Sequence, residues 1–145
     1  MNKRRKQLLT DLKKISAHFK LNASNFEVLR TTAFTLDTSK KKLLLVNDND
    51  SYFKTIDLKN VGACTIKVDY KSIDAGDLDE KGMNNFIEKV ELQISHTDPE
   101  RSVTIDFYDI SEDDASELQQ LIHKATNWRD QITAMLPRKL HKLTV

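Results

Sequence analysis

The stretch from Ser111 to Leu136 carries the longest regular apolar pattern in the sequence, and it constrains the fold most. Apolar residues recur along it at helical spacing: Ala115, Leu118, Ile122, Ala125, Ile132 and Leu136. Others widen the stripe to more than a third of the helix surface: Leu121, Trp128 and Met135. The pattern predicts one helix of about 25 residues, roughly 37 Å long. A stripe this wide needs a broad apolar surface to cover it, and we expect a sheet to supply that surface.

The two ends of this helix have recognisable signals. Ser111 is the predicted N-cap, and Asp114 stands three residues later in an aspartate version of the capping box. Glu112 and Asp113 add negative charge at the positive end of the helix dipole. Pro137 is expected to end the helix, because the residue before a proline is pushed out of helical geometry.

The chain before this helix follows a period of two, which is typical of strands. Six strands are predicted: Phe34–Asp37, Lys42–Val46, Thr55–Asp57, Cys64–Tyr70, Lys89–Ser95 and Ser102–Phe107. Residues 26–30 either supply a seventh strand or extend a helix, and both alternatives stay open. Short turns between consecutive strands indicate antiparallel pairing, and the order of elements contains no alternating strand–helix units. The sequence therefore predicts an α+β fold with an antiparallel sheet sandwich or partly open barrel.

The alternation also predicts which side chains face outward. Thr35 and Asp37 lie on one face of their strand, and Phe34 and Leu36 lie on the other. The outward positions of later strands carry Asp57, Glu91, Asp106 and Tyr108. The three carboxylates Asp57, Glu91 and Asp106 are expected to be solvated rather than to form an acid–base pair. Cys64 falls on the apolar side of its strand, where a packed thiol is expected.

This order of elements resembles the pleckstrin-homology-like superfold, and in particular its small bacterial members. The resemblance covers residues 33–136, and Trp128 is similar to the tryptophan common on the final helix of the eukaryotic domains. It implies two antiparallel sheets of four and three strands, packed nearly orthogonally, with the C-terminal helix closing one open corner. It also implies a division into a helix and connector at residues 1–32, the domain itself, and a basic tail at residues 137–145.

The phosphoinositide-binding members of that superfold carry a Lys/Arg motif across their first hairpin. Here that hairpin offers only Lys40, Lys41 and Lys42, with no arginine after them. Specificity for inositol phosphates is therefore not carried over, since a shared fold does not deliver a shared function. These lysines are expected at a charged hairpin tip, which also discourages pairing between sheet edges.

A first helix is predicted over residues 5–20, with Leu8, Leu12, Ile15 and Phe19 on one face. Lysines surround the other face: Lys6, Lys13, Lys14 and Lys20. Three interpretations are open. The helix packs on the edge of the domain, or it lies on a membrane surface, or it is a juxtamembrane segment that follows a membrane span. No run in the sequence approaches the roughly 18 apolar residues of a span, and whether one precedes Met1 is left open.

Charge is strongly divided along a chain whose formal net charge is only +1. Residues 1–20 have a charge of +6 and residues 138–145 a charge of +3, so the residues between them carry −8. Segregation of this kind bears on partners and orientation. The predicted contacts with an anionic surface are Lys3, Arg4, Arg5, Lys6, Lys13, Lys14, Lys40, Lys41 and Lys42.

No motif for catalysis or for a cofactor stands out. One cysteine excludes an internal disulfide and fits a reducing compartment. The histidines His18, His96, His123 and His141 share no metal spacing, and His96 is expected at a strand end on the rim of the core. The acidic loop Asp74–Glu80 and the turn Asn47–Asp50 lack the spacing of a calcium loop. We therefore predict no catalytic, cofactor-binding or metal-binding residues, and no nucleic-acid partner.

Two functional hypotheses follow from these patterns. The first is a non-enzymatic, bacterial, pleckstrin-homology-like binding or scaffold module, apposed to an anionic membrane through its basic first helix. It would be cytoplasmic, on the cytoplasmic face of the inner membrane. The alternative is a soluble interaction module that forms homo-oligomers through Leu8, Leu12, Ile15 and Phe19 of that helix. The sequence does not identify the ligand, the partner or the oligomeric state.

Overall fold

The structure is a computed structural model that describes residues 2–48, 52–71 and 86–137. Its helices are α1 (Lys3–His18) and α2 (Leu118–Met135). Its strands are β1 (Phe26–Val28), β2 (Thr32–Asp37), β3 (Lys42–Asn47), β4 (Tyr52–Asp57), β5 (Val61–Tyr70), β6 (Ile87–His96) and β7 (Val103–Asp109). Short 3-10 turns lie at Leu58–Asn60, Pro99–Arg101 and Ala115–Glu117. The predicted α+β class is confirmed, and β1 supplies the seventh strand that the sequence left open.

The described strands form two antiparallel sheets rather than one closed barrel. The first has the order β1-β2-β3-β4 and the second the order β5-β6-β7. The chain divides into two compact units, one of residues 1–61 with 135–145 and the other of residues 62–134. The three-part division at residues 32 and 136 stays a prediction of the sequence.

In the first unit, α1 packs on one face of the four-stranded sheet, against β2 and β3. The core between them is apolar: Leu8, Leu12, Leu21, Ala33, Leu44 and Val46. The interpretation of the first helix as packed on the domain edge is therefore confirmed. Because alternate residues of a strand point to one face, Thr35 and Asp37 share the α1 side of β2 with Ala33. Both are buried, because α1 covers the face of β2 on which they lie.

The second unit contains the three-stranded sheet and most of α2. The predicted inward residues of β6 and β7 are buried: Val90, Leu92, Ile94, Val103, Ile105 and Phe107. Tyr108, predicted to face outward, is buried as well, and burial with the nearby carboxylate Asp113 raises the pKa of its phenol. Buried residues recur along one side of α2: Leu118, Ala125, Trp128 and Ile132.

The predicted start of α2 is wrong. The helix begins at Leu118, after a 3-10 turn whose N-cap is Asp114, the side chain of which accepts a hydrogen bond from the Ser116 backbone N–H. Ser111 is instead part of the turn after β7, where its hydroxyl donates to Asp109 Oδ1 at 2.7 Å. The helix has 18 residues instead of about 25. Its end at Met135 agrees with the stop signal of Pro137.

Several predictions lie outside the described residues. These are the acidic loop Asp74–Glu80, the end of the turn Asn47–Asp50, and the basic tail after Pro137.

Candidate functional site

The candidate site is the basic surface of the first unit, and its largest part is the solvent face of α1. Asn2 caps this helix, because its side-chain oxygen accepts the Arg5 backbone N–H at 2.9 Å. Helical spacing places Lys3, Lys6, Lys13 and Lys14 on the side opposite Leu8 and Leu12, and all four lysines are exposed. None of the four forms an ion pair with another residue that the structure describes.

The two arginines of the predicted set lie on the flanks of this face. Arg4 forms an ion pair with Asp48, which follows β3, so its charge is already balanced within the unit. Arg5 is half-buried. Of the six predicted contacts on α1, four lysines are therefore exposed and without an ion pair to the described residues.

An open groove runs along α1 beside β3. One part, of about 320 Å³, is lined by Arg4, Gln7, Leu8, Asp11, Asn47 and Asp48. The adjoining part, of about 250 Å³, is lined by Asp11, Lys14, Ile15 and Val46. Gln7 donates to Asp11 at 2.9 Å, and Arg4 contacts Oδ2 of Asp48, whereas Asp48 Oδ1 is buried and accepts no hydrogen bond from the described residues.

The hairpin lysines Lys40, Lys41 and Lys42 lie at the other end of α1. The carboxylate of Asp37 organises this corner, because Oδ1 accepts the Lys40 backbone N–H and Oδ2 accepts the Asn22 backbone N–H, each at 2.9 Å. These backbone hydrogen bonds, first that from Asn22 and then that from Lys40, lower the pKa of Asp37. The hairpin tip is thereby tied to the segment that follows α1.

The C-terminus of α1 explains the position of Lys40. The helix ends in a Schellman motif, with Lys20 in the left-handed region at φ 58° and the Leu21 N–H bonded to Ser16 O at 2.8 Å. The ammonium group of Lys40 donates to the Lys20 carbonyl, where the negative end of the helix dipole favours a cation. Lys40 therefore stabilises the helix end, while Lys41 and Lys42 remain exposed.

The nine predicted residues thus belong to one unit but form two clusters. The α1 cluster extends from Lys3 to Lys14, roughly 16 Å along the helix axis, and the hairpin cluster lies beyond the C-terminus of the same helix. The prediction omitted Lys20, which the C-cap places beside the hairpin tip. The available signal was its position directly after the helical pattern, where a residue in the left-handed region commonly ends a helix.

The cysteine and histidine side chains, which often act in catalysis or bind metals, lie in unsuitable surroundings in this protein. The Cys64 thiol is buried, and desolvation raises its pKa to about 12, so it stays protonated at neutral pH, as expected for a packed thiol. His96 lies half-buried at the end of β6, where Nδ1 accepts the Asp98 backbone N–H at 2.9 Å. Among the described residues there is no group of three or more His, Cys, Asp or Glu side chains that could hold a metal ion.

The carboxylates of the second sheet depart from the expectation in one place. The Glu91 side chain is only 13% exposed, and Lys89 Nζ lies 3.9 Å from it and 3.8 Å from Asp106. Desolvation, followed by the nearby charge of Asp106, raises the pKa of Glu91 against the opposing effect of Lys89. Its predicted full solvation is therefore wrong, whereas Asp106 is exposed enough to fit the prediction.

Comparison of the chain with protein-family models, with curated proteins and with solved structures gives no match. Within the described ranges, neither helix combines the length and the apolar character that crossing a membrane requires.

Proposed function

We propose that this protein is a non-enzymatic, pleckstrin-homology-like binding module that lies against an anionic membrane surface through the solvent face of α1. The observation that carries the proposal is the group of four exposed lysines on that face, without acidic partners among the described residues. Each Lys or Arg close to an anionic surface contributes about 1 kcal/mol of attraction. The expected location is the cytoplasmic face of a bacterial inner membrane.

The elements of the two units support the fold part of this proposal. Seven antiparallel strands, divided four and three, followed by a C-terminal helix, are the element content of the pleckstrin-homology-like superfold. The near-orthogonal packing of the sheets and their closure by α2 belong to the proposal. Recognition of inositol phosphates does not, because the hairpin motif is incomplete and Lys40 is engaged at the end of α1.

The distribution of charge between the units supports the membrane part. Residues 1–61 and 135–145 contain sixteen Lys/Arg and six Asp/Glu, a formal charge of +10, whereas residues 62–134 have a charge of −9. A basic unit is attracted to an anionic surface that repels an acidic one. The acidic unit is then left for protein partners.

The alternative, homo-oligomers formed through the apolar face of α1, has less support. Leu8 and Leu12 are 1% and 0% exposed, and both lie in the core of their own unit. A dimer that used them would have to expose the sheet surface that they now cover. Phe19 alone of the four proposed residues is well exposed.

Co-sedimentation with lipid vesicles tests the proposal. We expect the protein to bind vesicles that contain phosphatidylglycerol and not vesicles of phosphatidylcholine alone. The variant Lys6→Ala/Lys13→Ala/Lys14→Ala should bind the anionic vesicles about a hundredfold more weakly, since it loses three lysines at about 1 kcal/mol each. The matched control is Lys67→Ala/Lys71→Ala/Arg101→Ala, which removes the same charge from the second unit and should bind as the wild type does.

Equal binding to both kinds of vesicle, or binding to neither, would reject the membrane proposal. If both triple variants lost vesicle binding to the same extent, net charge would govern binding. The α1 face would then have no particular role in it.

A further inference from the structure

Two phenylalanine rings lie side by side on the surface of the first unit. Phe19, the C-cap residue of α1, and Phe53 of β4 have ring centroids 5.6 Å apart and are tilted by 54°. They are 41% and 43% exposed. The ring of His18 meets Phe19 edge-on at 5.1 Å. The two adjoining rings form a small apolar patch, unlike the exposed apolar side chains that stand singly on an ordinary surface.

The aromatic pair is continuous with the basic face of α1. Phe53 is the Cα partner of Val46 across β3 and β4 and therefore lies on the same face of the sheet. Val46 in turn lines the 250 Å³ part of the groove together with Ile15 and Lys14, and Lys14 belongs to the basic face. The surface thus passes from lysine ammonium groups through a partly apolar groove to the two rings.

We propose that Phe19 and Phe53 enter the boundary between headgroups and acyl chains of a lipid bilayer, while the adjoining lysines contact anionic headgroups. This inference rests on the proposed function and names the point of insertion. Phenylalanine is among the apolar residues that basic interfacial helices bury in this boundary. The choice of a lipid surface over an apolar protein surface rests on charge complementarity, because the exposed Lys20 directly follows Phe19 and the exposed Lys14 lines the adjoining groove, where Asp11 and Asp48 each have one polar contact within the unit.

High salt separates the two contributions to binding. At about 1 M salt the screening length falls to roughly 3 Å, so attraction between lysines and headgroups is largely lost while burial of the rings is not. We therefore expect the wild type to retain measurable binding at high salt to vesicles of equal parts phosphatidylcholine and phosphatidylglycerol. Phe19→Ala/Phe53→Ala should weaken this residual binding by about tenfold or more, given the transfer free energy of aromatic area.

The chain offers a matched control for these substitutions. Phe26 is 39% exposed and lies on β1, at the other edge of the same sheet. Phe26→Ala removes a ring of the same kind and exposure from the same unit and should leave vesicle binding unchanged. Equal binding by the wild type, the double variant and Phe26→Ala would overturn the inference.

A depth measurement does not depend on the folding of the double variant. Phe53→Trp adds an indole at the proposed insertion point, whereas the native Trp128 is buried and gives a constant background. Lipids brominated on their acyl chains should quench the added fluorescence when the protein binds anionic vesicles. Binding without quenching would overturn the inference, because the ring would then lie outside the bilayer.

The outcomes also separate this inference from the proposed function. Loss of binding in the α1 lysine variant, with no effect of the phenylalanine variants at any salt, would overturn the insertion and leave the electrostatic contact intact. Full binding by the lysine variant would reject the proposed function itself. A dimer seen by light scattering in the wild type and lost in Phe19→Ala/Phe53→Ala would assign the rings to a second copy of the chain and overturn the insertion.

Discussion

At the scale of single residues, Asp37 connects more of the first unit than any property of its local sequence suggests. Its two carboxylate oxygens hold the backbone of Asn22, which follows α1, and of Lys40, at the hairpin tip. Hydrogen bonds to a charged group are stronger than neutral ones, especially where water is excluded. The position of the lysine cluster at this corner therefore depends on one buried side chain.

We expect Asp37→Ala to lower the free energy of unfolding by about 2 kcal/mol near neutral pH, because charge-assisted hydrogen bonds are lost. The folded-state pKa of Asp37 lies below its ordinary value of 3.8. The carboxylate therefore contributes stability above the unfolded-state pKa, and this contribution disappears as the pH falls through the folded-state pKa. The difference in the free energy of unfolding between the wild type and Asp37→Ala should therefore become smaller at acid pH. Urea unfolding followed by circular dichroism between about pH 7 and pH 3 measures it.

Asp57→Ala is the matched control. Asp57 is the last residue of β4, as Asp37 is of β2, but it is only half-buried and accepts a single backbone N–H, from Lys59 at 3.0 Å. Its effect should be smaller. A difference for Asp37→Ala that stayed constant down to the lowest pH would contradict a role for the charged carboxylate.

The burial of Asp37 could not be predicted from the strand pattern. Thr35 and Asp37 alternate with Phe34 and Leu36, which is typical of a strand with one solvated face. The structure buries all six residues of β2, because α1 covers the face that carries Thr35 and Asp37. The alternation of residues along a strand shows only which side chains share a face. It does not show that α1, which lies elsewhere in the sequence, covers that face. The strands themselves were predicted well, since their apolar residues alternate without ambiguity.

At the scale of elements, the sequence predicted the C-terminal end of α2 correctly and its N-terminal start wrongly. Before α2, the sequence presents Ser111, Asp113 and Asp114, and each is a suitable cap by residue type. The turn after β7 occupies two of them, since Ser111 bonds to Asp109 and the Asp113 carboxylate accepts the Asp109 backbone N–H at 2.9 Å. Asp114 is left to cap the 3-10 turn. Competition between neighbouring caps is decided by where the strand ends, which local rules do not fix.

The end of α1 yields a prediction about stability. Lys20 has a φ of 58°, a conformation in which a side chain costs about 1 kcal/mol and glycine costs little. We expect Lys20→Gly to raise the free energy of unfolding by up to about 1 kcal/mol, with part of the gain offset by the greater freedom of glycine in the unfolded chain. The carbonyl that accepts Lys40 is retained. Urea unfolding at constant pH measures the change.

Lys13→Gly provides the comparison, because Lys13 is an exposed residue in the interior of the same helix. This substitution should lower the free energy of unfolding by about 1 kcal/mol, the usual cost of glycine in a helix interior. Effects of the same sign in both variants would show that residue 20 does not hold the left-handed conformation on which the C-cap depends.

At the scale of the whole molecule, part of the candidate site follows from sequence and part does not. The lysines of α1 recur at helical spacing, so their common face was predictable from periodicity alone. The aromatic pair joins residues 34 positions apart, and their meeting depends on the register of β3 and β4 and on how α1 crosses the sheet. The grouping of charge by unit was visible in outline as basic ends around an acidic middle. The structure adds that the basic unit reaches residue 61, because the first compact unit contains both α1 and the hairpin lysines.

The division of charge predicts that membrane binding is independent of the sign of the net charge. The isoelectric point is about 7.8, so the whole chain is negative at about pH 9, where ordinary lysines remain protonated. If the α1 face acts as a local cation, binding to anionic vesicles at low salt should persist from about pH 7 to pH 9. Vesicle co-sedimentation across this range measures it, with Lys6→Ala/Lys13→Ala/Lys14→Ala showing weak binding throughout. A sharp loss of wild-type binding on crossing the isoelectric point would mean that the overall charge, and not the face of one helix, holds the protein to the surface.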